Sequence, residues 1–340
     1  MATIEFADVT KTYPGALRPA VDRVSFTVPE GAICMLLGTS GSGKTTLLRM
    51  VNRLIDPTSG AILIDDTPTT QRDPITLRRG IGYVIQQVGL FPHMTIAENV
   101  RVVPSILGRP ASETAARVDE LLSLVGLEPA EYRARYPRQL SGGQQQRVGL
   151  ARALAADPSV LLMDEPFGAL DAITRERLQD ELLRIQRGVR KTILFVSHDV
   201  GEALTLGDQI VVMSEGRLIQ QGTPVELLAH PADDFVRRLI GGNDSILRQF
   251  EYLPVTTALE PGTGESDSAG EALPADATLL QALLRMMQSG RTALRVERDG
   301  ATIGHVSLAS ISRQVQAGSG TGSGTTSASA STGAPVTAAQ

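Results

Sequence analysis

Gly38-Thr39-Ser40-Gly41-Ser42-Gly43-Lys44-Thr45 is the stretch on which the reading of this chain turns. It fits the pattern G-x-x-x-x-G-K-[ST], a phosphate-binding loop. The apolar run Ile33 to Leu37 before it reads as a buried strand, and TTLLRMVNRL after it reads as a helix. Strand, glycine loop and helix is the context the motif requires. Glycines take backbone angles closed to other residues and have no Cβ to hold a phosphate away. The loop N–H groups and the positive end of the helix then face a polyphosphate, Lys44 reaches its β- and γ-phosphates, and the Thr45 hydroxyl ligates Mg²⁺.

At 340 residues the chain has room for about two domains. A 42% hydrophobic content supplies a core, and the single cysteine, Cys34, leaves no partner for an intrachain disulfide, which suits a reducing compartment. No N-terminal segment resembles a signal peptide, and no run approaches the roughly 20 apolar residues of a membrane span. A net charge of −5 argues against nucleic acid as a partner.

Read in order, TIEFADVTKTY (residues 3–13) alternates apolar and polar positions and is expected to form an edge-type antiparallel strand. SFTV and AICMLL are strands joined by the turn Pro29-Glu30-Gly31. IGYVIQQ (81–87) is a strand that ends in two amides. Residues 95–155 form a helical block, its clearest amphipathic piece being ASETAARVDELLSLVGL (111–127). Such a block is not needed to bind a nucleotide and reads as a docking or lever element. Within it, LSGGQQQRVGLARAL (140–154) joins a Ser-Gly-Gly turn to a helix, a second anion site. VLLMDEP (160–166) is an apolar run followed by two carboxylates, as expected of a parallel strand buried on both faces with its acids at the C-terminal end. TILFVSHD (192–199) repeats the design with His198, and Glu215-Gly216 turns a hairpin between QIVVMS and GRLIQQ.

Residues 243–274 shift to Gly, Ser, Pro and acids and read as a linker. A small unit at 275–315 follows. Its helix, ATLLQALLRMMQSG, is expected to use Asp276 as N-cap and to stop at Gly290, and ALRVER and ATIGHVSL are strands around Asp299-Gly300. Residues 316–340 are a Gly/Ser/Thr/Ala tail expected to be disordered.

Strand ends thus supply the loop's partners in order: Gln86, then Asp164 and Glu165, then His198. Asp164 is placed to hold Mg²⁺, which leaves Glu165 to orient or deprotonate a water, and His198 to hydrogen-bond the γ-phosphate.

With LSGGQ and MDEP added to the glycine loop, residues 3–240 resemble the nucleotide-binding subunit of ABC transporters. The resemblance implies an α/β P-loop fold over residues 1–242: a mixed sheet core, an antiparallel β subdomain and a helical subdomain. By that likeness Tyr13 stacks on adenine, Gly38 to Thr46 (with Thr39, Ser40, Gly41, Ser42, Gly43, Lys44 and Thr45) bind ATP, and Gln86 is the Q-loop amide that shares Mg²⁺ with Thr45 and Asp164. Leu140, Ser141, Gly142, Gly143 and Gln144 form the signature that meets the ATP of a partner subunit. Glu165 is the catalytic glutamate, Ala169 to Asp171 the D-loop, and His198 the switch histidine. Implied partners are a second ATPase copy, separate permease subunits and an extracytoplasmic substrate-binding protein; the implied place is the cytoplasmic face of the inner membrane, held through the permease.

DPITL with RRGIGYVIQQVGLFPHMTIAENV (78–100) is similar to the ATPases of glycine betaine, carnitine and choline importers, and residues 279–308 are similar to one CBS unit. A nucleic-acid or ribosome-associated ATPase of the same superfamily would carry a long coiled-coil insertion or a tandem cassette, and this chain shows neither. A GTPase-type switch would lack a reason for the signature and would need an NKxD-type motif.

Overall fold

This computed structural model describes residues 2–85, 89–168, 170–241, 250–261, 272–311 and 313. The chain divides into two units, Met1–Ser245 and Ile246–Gln340.

The first unit grows from strands with no polar face. Every residue of Ile33–Gly38, Val160–Asp164 and Thr192–Val196 is buried. Among the described residues they belong to a six-stranded sheet with the spatial order Arg217–Gly222, Gln209–Ser214, Ile33–Gly38, Thr192–Val196, Val160–Asp164, Ile81–Val84. All but the first are parallel, and Arg217–Gly222 closes one edge as an antiparallel hairpin around Glu215-Gly216. The unbroken apolar runs are what a parallel sheet covered on both faces demands. Register then decides function: Leu36 pairs with Val196, Asp164 with Val196, and Gly38 with Met213. The phosphate loop, the two carboxylates and the residues after Val196 therefore emerge at one edge of the sheet.

A second, antiparallel sheet has the order Val21–Val28, Ile4–Lys11, Ser59–Ile64, Thr67–Pro68. Ile4–Lys11 lies inside this sheet, paired on both sides, so the expected edge position is corrected. Alternation reports that one face is dry; it carries no information on how many neighbours a strand has. The dry face holds Ile4, Phe6 and Val9, and Phe6 stacks on Phe26 at 4.3 Å between centroids. These side chains share one core with Cys34, Leu36, Leu194 and Val211 of the parallel sheet.

The helical block comprises Ile96–Ile106, Ala111–Leu124, the short Pro129–Tyr132 and Gly142–Leu154. Thr95 and Glu98 cap its first helix reciprocally: the Thr95 N–H donates to Glu98 Oε2 at 2.7 Å and the Glu98 N–H to Thr95 Oγ1 at 3.3 Å.

In the second unit, Leu273–Pro274 runs parallel to Ala293–Arg298, which pairs antiparallel with Ala301–Ser307 around Asp299-Gly300. Its helix is Leu279–Ser289 and ends at a left-handed Gly290. The N-cap is Thr278 and not Asp276: Thr278 Oγ1 accepts from the Gln281 N–H at 3.2 Å while Gln281 Oε1 accepts from the Thr278 N–H at 3.0 Å. A reciprocal box satisfies two orphan donors, which outweighs a lone aspartate two residues earlier. Part of the stretch read as linker also belongs to this unit. Leu253, Val255 and Ala258 are buried, Glu260 bridges His305, and Leu273 joins the sheet. The acidic and glycine-rich composition around these few apolar residues hid them. The tail from residue 314 lies outside the described residues.

Candidate functional site

Two glycines of the loop are required by contact. A Cβ on Gly38 would stand 2.2 Å from the Met213 carbonyl oxygen, and one on Gly43, whose φ is 101°, would stand 2.5 Å from that of Ala20. Gly43 caps the helix Lys44–Val51 without a side-chain acceptor, so the N–H groups of its first turn keep their capacity for an anion. At Gly41 nothing lies within 4 Å of a Cβ position, leaving the outer side of the loop open.

Lys44 is only 6% exposed. Its ammonium donates to the carbonyls of Gly38 at 2.8 Å and Thr39 at 2.9 Å. Burial pulls its pKa below the usual lysine range, while the nearby Glu165 and Asp164 oppose that shift. The Thr45 hydroxyl donates to Asp164 Oδ1 at 3.0 Å. Burial pushes the Asp164 carboxyl above the usual aspartate range, with the Thr45 hydrogen bond working the other way.

Consecutive carboxylates at the end of one strand would repel if they pointed together. The backbone separates them: Glu165 adopts a left-handed φ of 46°, and its N–H donates to the Val196 carbonyl at 3.0 Å. Asp164 thus turns toward Thr45, and Glu165 Oε2 comes to 3.4 Å from His198 Nδ1. A non-glycine residue held at positive φ costs about 1–3 kcal/mol and persists only where its surroundings fix it.

Thr45 and Asp164 present a hydroxyl and a carboxylate, hard oxygen donors suited to Mg²⁺ shared with phosphates and water. Among the described residues no group of three or more His, Cys, Asp or Glu gathers to hold a metal unaided. The donor set therefore fits a magnesium–nucleotide complex and not a dedicated metal cage.

Tyr13 follows the strand Ile4–Lys11 and is 40% exposed, and the Lys11 ammonium lies 5.5 Å from its ring centroid. Thr46 is half-buried in the loop's helix. Gln86 and Ala169 lie outside the described residues. The signature forms a helix N-terminus. Ser141 caps Gly142–Leu154, its hydroxyl accepting from the Gln144 N–H at 3.3 Å, and Gln144 Nε2 donates to the Tyr132 hydroxyl at 3.1 Å. Leu140 is buried beneath them, Ser141 and Gly142 are exposed, and a Cβ on Gly143 would meet Thr174 at 2.9 Å. Asp171 caps the helix Ala172–Val189, accepting from the Thr174 N–H at 3.0 Å; that bond holds its carboxyl below the usual range. An open cavity of about 700 Å³ lies at the opposite edge of the parallel sheet, beside Ile33, Arg187 and Arg190, away from this constellation.

Some residues that shape the site carried no sequence signal. Asn99, fully buried in a helix, accepts from the Phe91 N–H at 2.7 Å and donates to the Phe91 and Met94 carbonyls at 3.1 and 3.2 Å, fixing the loop that precedes its helix. Gln146 donates to the Pro166 carbonyl, tying the signature helix to the residue after Glu165. Among the described residues no helix is long and apolar enough to cross a membrane.

The family model for ABC transporters matches residues 21–168. The osmoprotectant import ATP-binding protein OsmV of Salmonella typhimurium is 52% identical over 248 residues, covering 72% of this chain and 65% of that protein. This chain thus spans just under two thirds of that relative's length. The choline transport ATP-binding protein OpuBA of Bacillus subtilis is 44% identical over 317 residues, covering 92% of this chain and 80% of that protein. The glycine betaine uptake ATP-binding protein YehX of Escherichia coli is 45% identical over 293 residues, or 86% and 93% of the two chains. Among solved structures, the ATP-binding cassette MJ0796, as a dimer in a post-hydrolysis state with ADP and Pi, superposes with a TM-score of 0.59 at 35% identity, covering 65% of this chain and 98% of that one. Likeness of this extent makes this chain a member of the ABC transporter family of ATP-binding proteins.

Proposed function

We propose that this chain is the ATP-hydrolysing subunit of an importer for quaternary ammonium osmoprotectants such as glycine betaine, choline or carnitine. The hydrolysis in this reading is supported by the divergence of Asp164 and Glu165 at one strand end, the first meeting Thr45 and the second meeting His198, and the choice of solute by the likeness to osmoprotectant, choline and glycine betaine import proteins. The loop N–H groups and Lys44 hold the phosphates, so Lys44 exchanges its two carbonyl partners for phosphate oxygens. Thr45 and Asp164 would hold Mg²⁺, which would supply neutralisation of phosphate charge. Tyr13 offers a flat face to adenine. Glu165 accepts a proton from the attacking water, and His198 steadies Glu165 and the γ-phosphate. Gln86 completes the set as a sensor of the γ-phosphate.

Two copies face each other, so that the Ser141 end of one helix approaches the ATP held by Lys44 of the other, and Asp171 sits between the sites. The exposed signature supports this reading, since Ser141 and Gly142 present a helix N-terminus outward. Closure moves a separate permease, fed from outside by a substrate-binding protein, and the subunit rests peripherally on the cytoplasmic face of the membrane. The docking element is the helical block with the segment Gln86 to Glu98 at its base; the hydrogen bonds of Asn99 to Phe91 and Met94 and the 41% exposure of Phe91 support this. The small second unit is a single CBS-like module that tunes transport.

The deciding experiment is uptake of labelled glycine betaine, choline and carnitine by cells lacking this subunit and by cells carrying it. Loss of uptake of at least one of them, restored by the chain, is the expected result. Unchanged uptake of all three would assign the subunit to another solute. Crosslinking from His93 or Met94 to the copurified permease tests the docking loop, and contacts confined to the region of Glu215 would refute it.

A further inference from the structure

The residues on either side of His198 are held by a side chain that no motif contains. Arg175 lies in the first turn of the helix Ala172–Val189, just after Asp171. Its Nη2 donates to the Leu170 carbonyl at 3.2 Å and its Nη1 to Asp199 Oδ2 at 3.0 Å, while its Nε is 3.8 Å from Glu202 Oε1. Glu202 is 5% exposed. Its other oxygen accepts from the Ser197 hydroxyl at 2.6 Å, and the same hydroxyl accepts from the Asp199 N–H at 2.9 Å. Asp199 Oδ1 accepts from the Glu202 N–H at 3.2 Å, capping the helix Val200–Leu206. His198 is thus flanked by Ser197, which is fastened to Glu202, and by Asp199, which is fastened to both Glu202 and Arg175. A fork-shaped guanidinium is suited to bridging two acceptors at fixed angles while pairing with a third charge, which an ammonium on a flexible stem does not do.

We propose that Arg175 is a positioning residue for hydrolysis: it straps the Leu170–Asp171 turn to the Ser197–Glu202 segment and so holds His198 against Glu165. Any movement of the turn is then transmitted to His198 through the Leu170 carbonyl, Arg175 and Asp199. The inference rests on the reading of Glu165 and His198 as the pair that acts on water and γ-phosphate.

The test is a double-mutant cycle on the full chain, with ATP binding and steady-state hydrolysis measured for Arg175→Gln, His198→Ala and the pair. Arg175→Gln is expected to lower kcat by roughly 10–100-fold, the cost of misplacing a reacting group by about an ångström, with KM for ATP within about twofold. In the His198→Ala background the same change should cost nothing further. Arg175→Lys should recover only part of the rate. Where Arg175→Gln fails to fold, Asp199→Asn takes its place: asparagine still caps the helix but loses the ionic pair, and the same pattern is expected. Normal kcat in a folded Arg175→Gln or Asp199→Asn protein would overturn the proposal, as would additive losses in the cycle. Normal kcat in His198→Ala alone would instead overturn the role of His198, and the strap with it.

Discussion

Lys44, Asp164 and Glu202 of the first unit are 6%, 8% and 5% exposed, and all three lie at or beside the C-terminal edge of the parallel sheet. The second unit buries Val255, Leu279, Met286, Val296 and Val306, and among its described residues the sole buried polar side chain is Ser310. Burying an ion costs several kcal/mol unless partners compensate it. The first unit accepts that cost three times within one constellation, each time with hydrogen bonds on the buried group. Among its described residues the second unit buries no charged side chain. In the first unit, buried and hydrogen-bonded charge gathers at the edge where the phosphate loop and the two carboxylates meet.

The comparison can be broken hardest at Glu165. Glu165→Gln keeps the shape and removes the basic carboxylate. Hydrolysis should fall by roughly 10²–10⁴ while ATP binding survives, because binding rests on Lys44, Thr45, Asp164 and the loop. Light scattering with ATP and Mg²⁺ should show the mutant accumulating as a dimer, and a bulky residue at Ser141 should abolish it. Near-normal phosphate release would remove Glu165 from the mechanism.

Next in size is a matched pair of cavities. Leu194→Ala and Leu279→Ala each delete a fully buried side chain and should each cost about 2–5 kcal/mol of the stability of their own unit. Only Leu194→Ala should also depress ATPase activity, since its strand pairs with that of the phosphate loop. Calorimetry alongside phosphate release distinguishes them, and equal loss of activity from both would erase the contrast between the units.

Ending the chain at Gly242 should change the basal ATPase rate by less than about twofold, since every site residue lies before it. A large loss in a well-folded truncation would move the domain boundary.

The smallest effect is expected at Cys34. It is fully buried in the strand of the phosphate loop, and burial pushes its thiol pKa far above the usual range. A thiol reagent should leave the native protein unlabelled and its activity unchanged at neutral pH, and should label it once unfolded. Rapid labelling of the native protein would show that this strand opens.

Lys44, Asp164, Glu165 and His198 could be read from the sequence because each ends or follows an apolar run, and a parallel strand buried on both faces delivers its C-terminal residues to one edge. The hairpin turns Glu215-Gly216 and Asp299-Gly300 were equally legible, since both need positive φ and both have it. The sequence alone therefore determined the buried strands and which residues stand at their ends. These are local properties: a glycine that cannot bear a Cβ, an apolar run with no polar face, a carboxylate at its end.

Tertiary structure alone decided the rest. Strand Ile4–Lys11 sits inside its sheet because partners on both sides found it, and alternation does not count partners. Asn99, Arg175 and Glu202 read as ordinary helix-surface residues until Phe91, Leu170, Asp199 and Ser197 are brought to them from other parts of the chain. A hydrogen bond needs both of its ends within about 3 Å, and a sequence states only one end at a time.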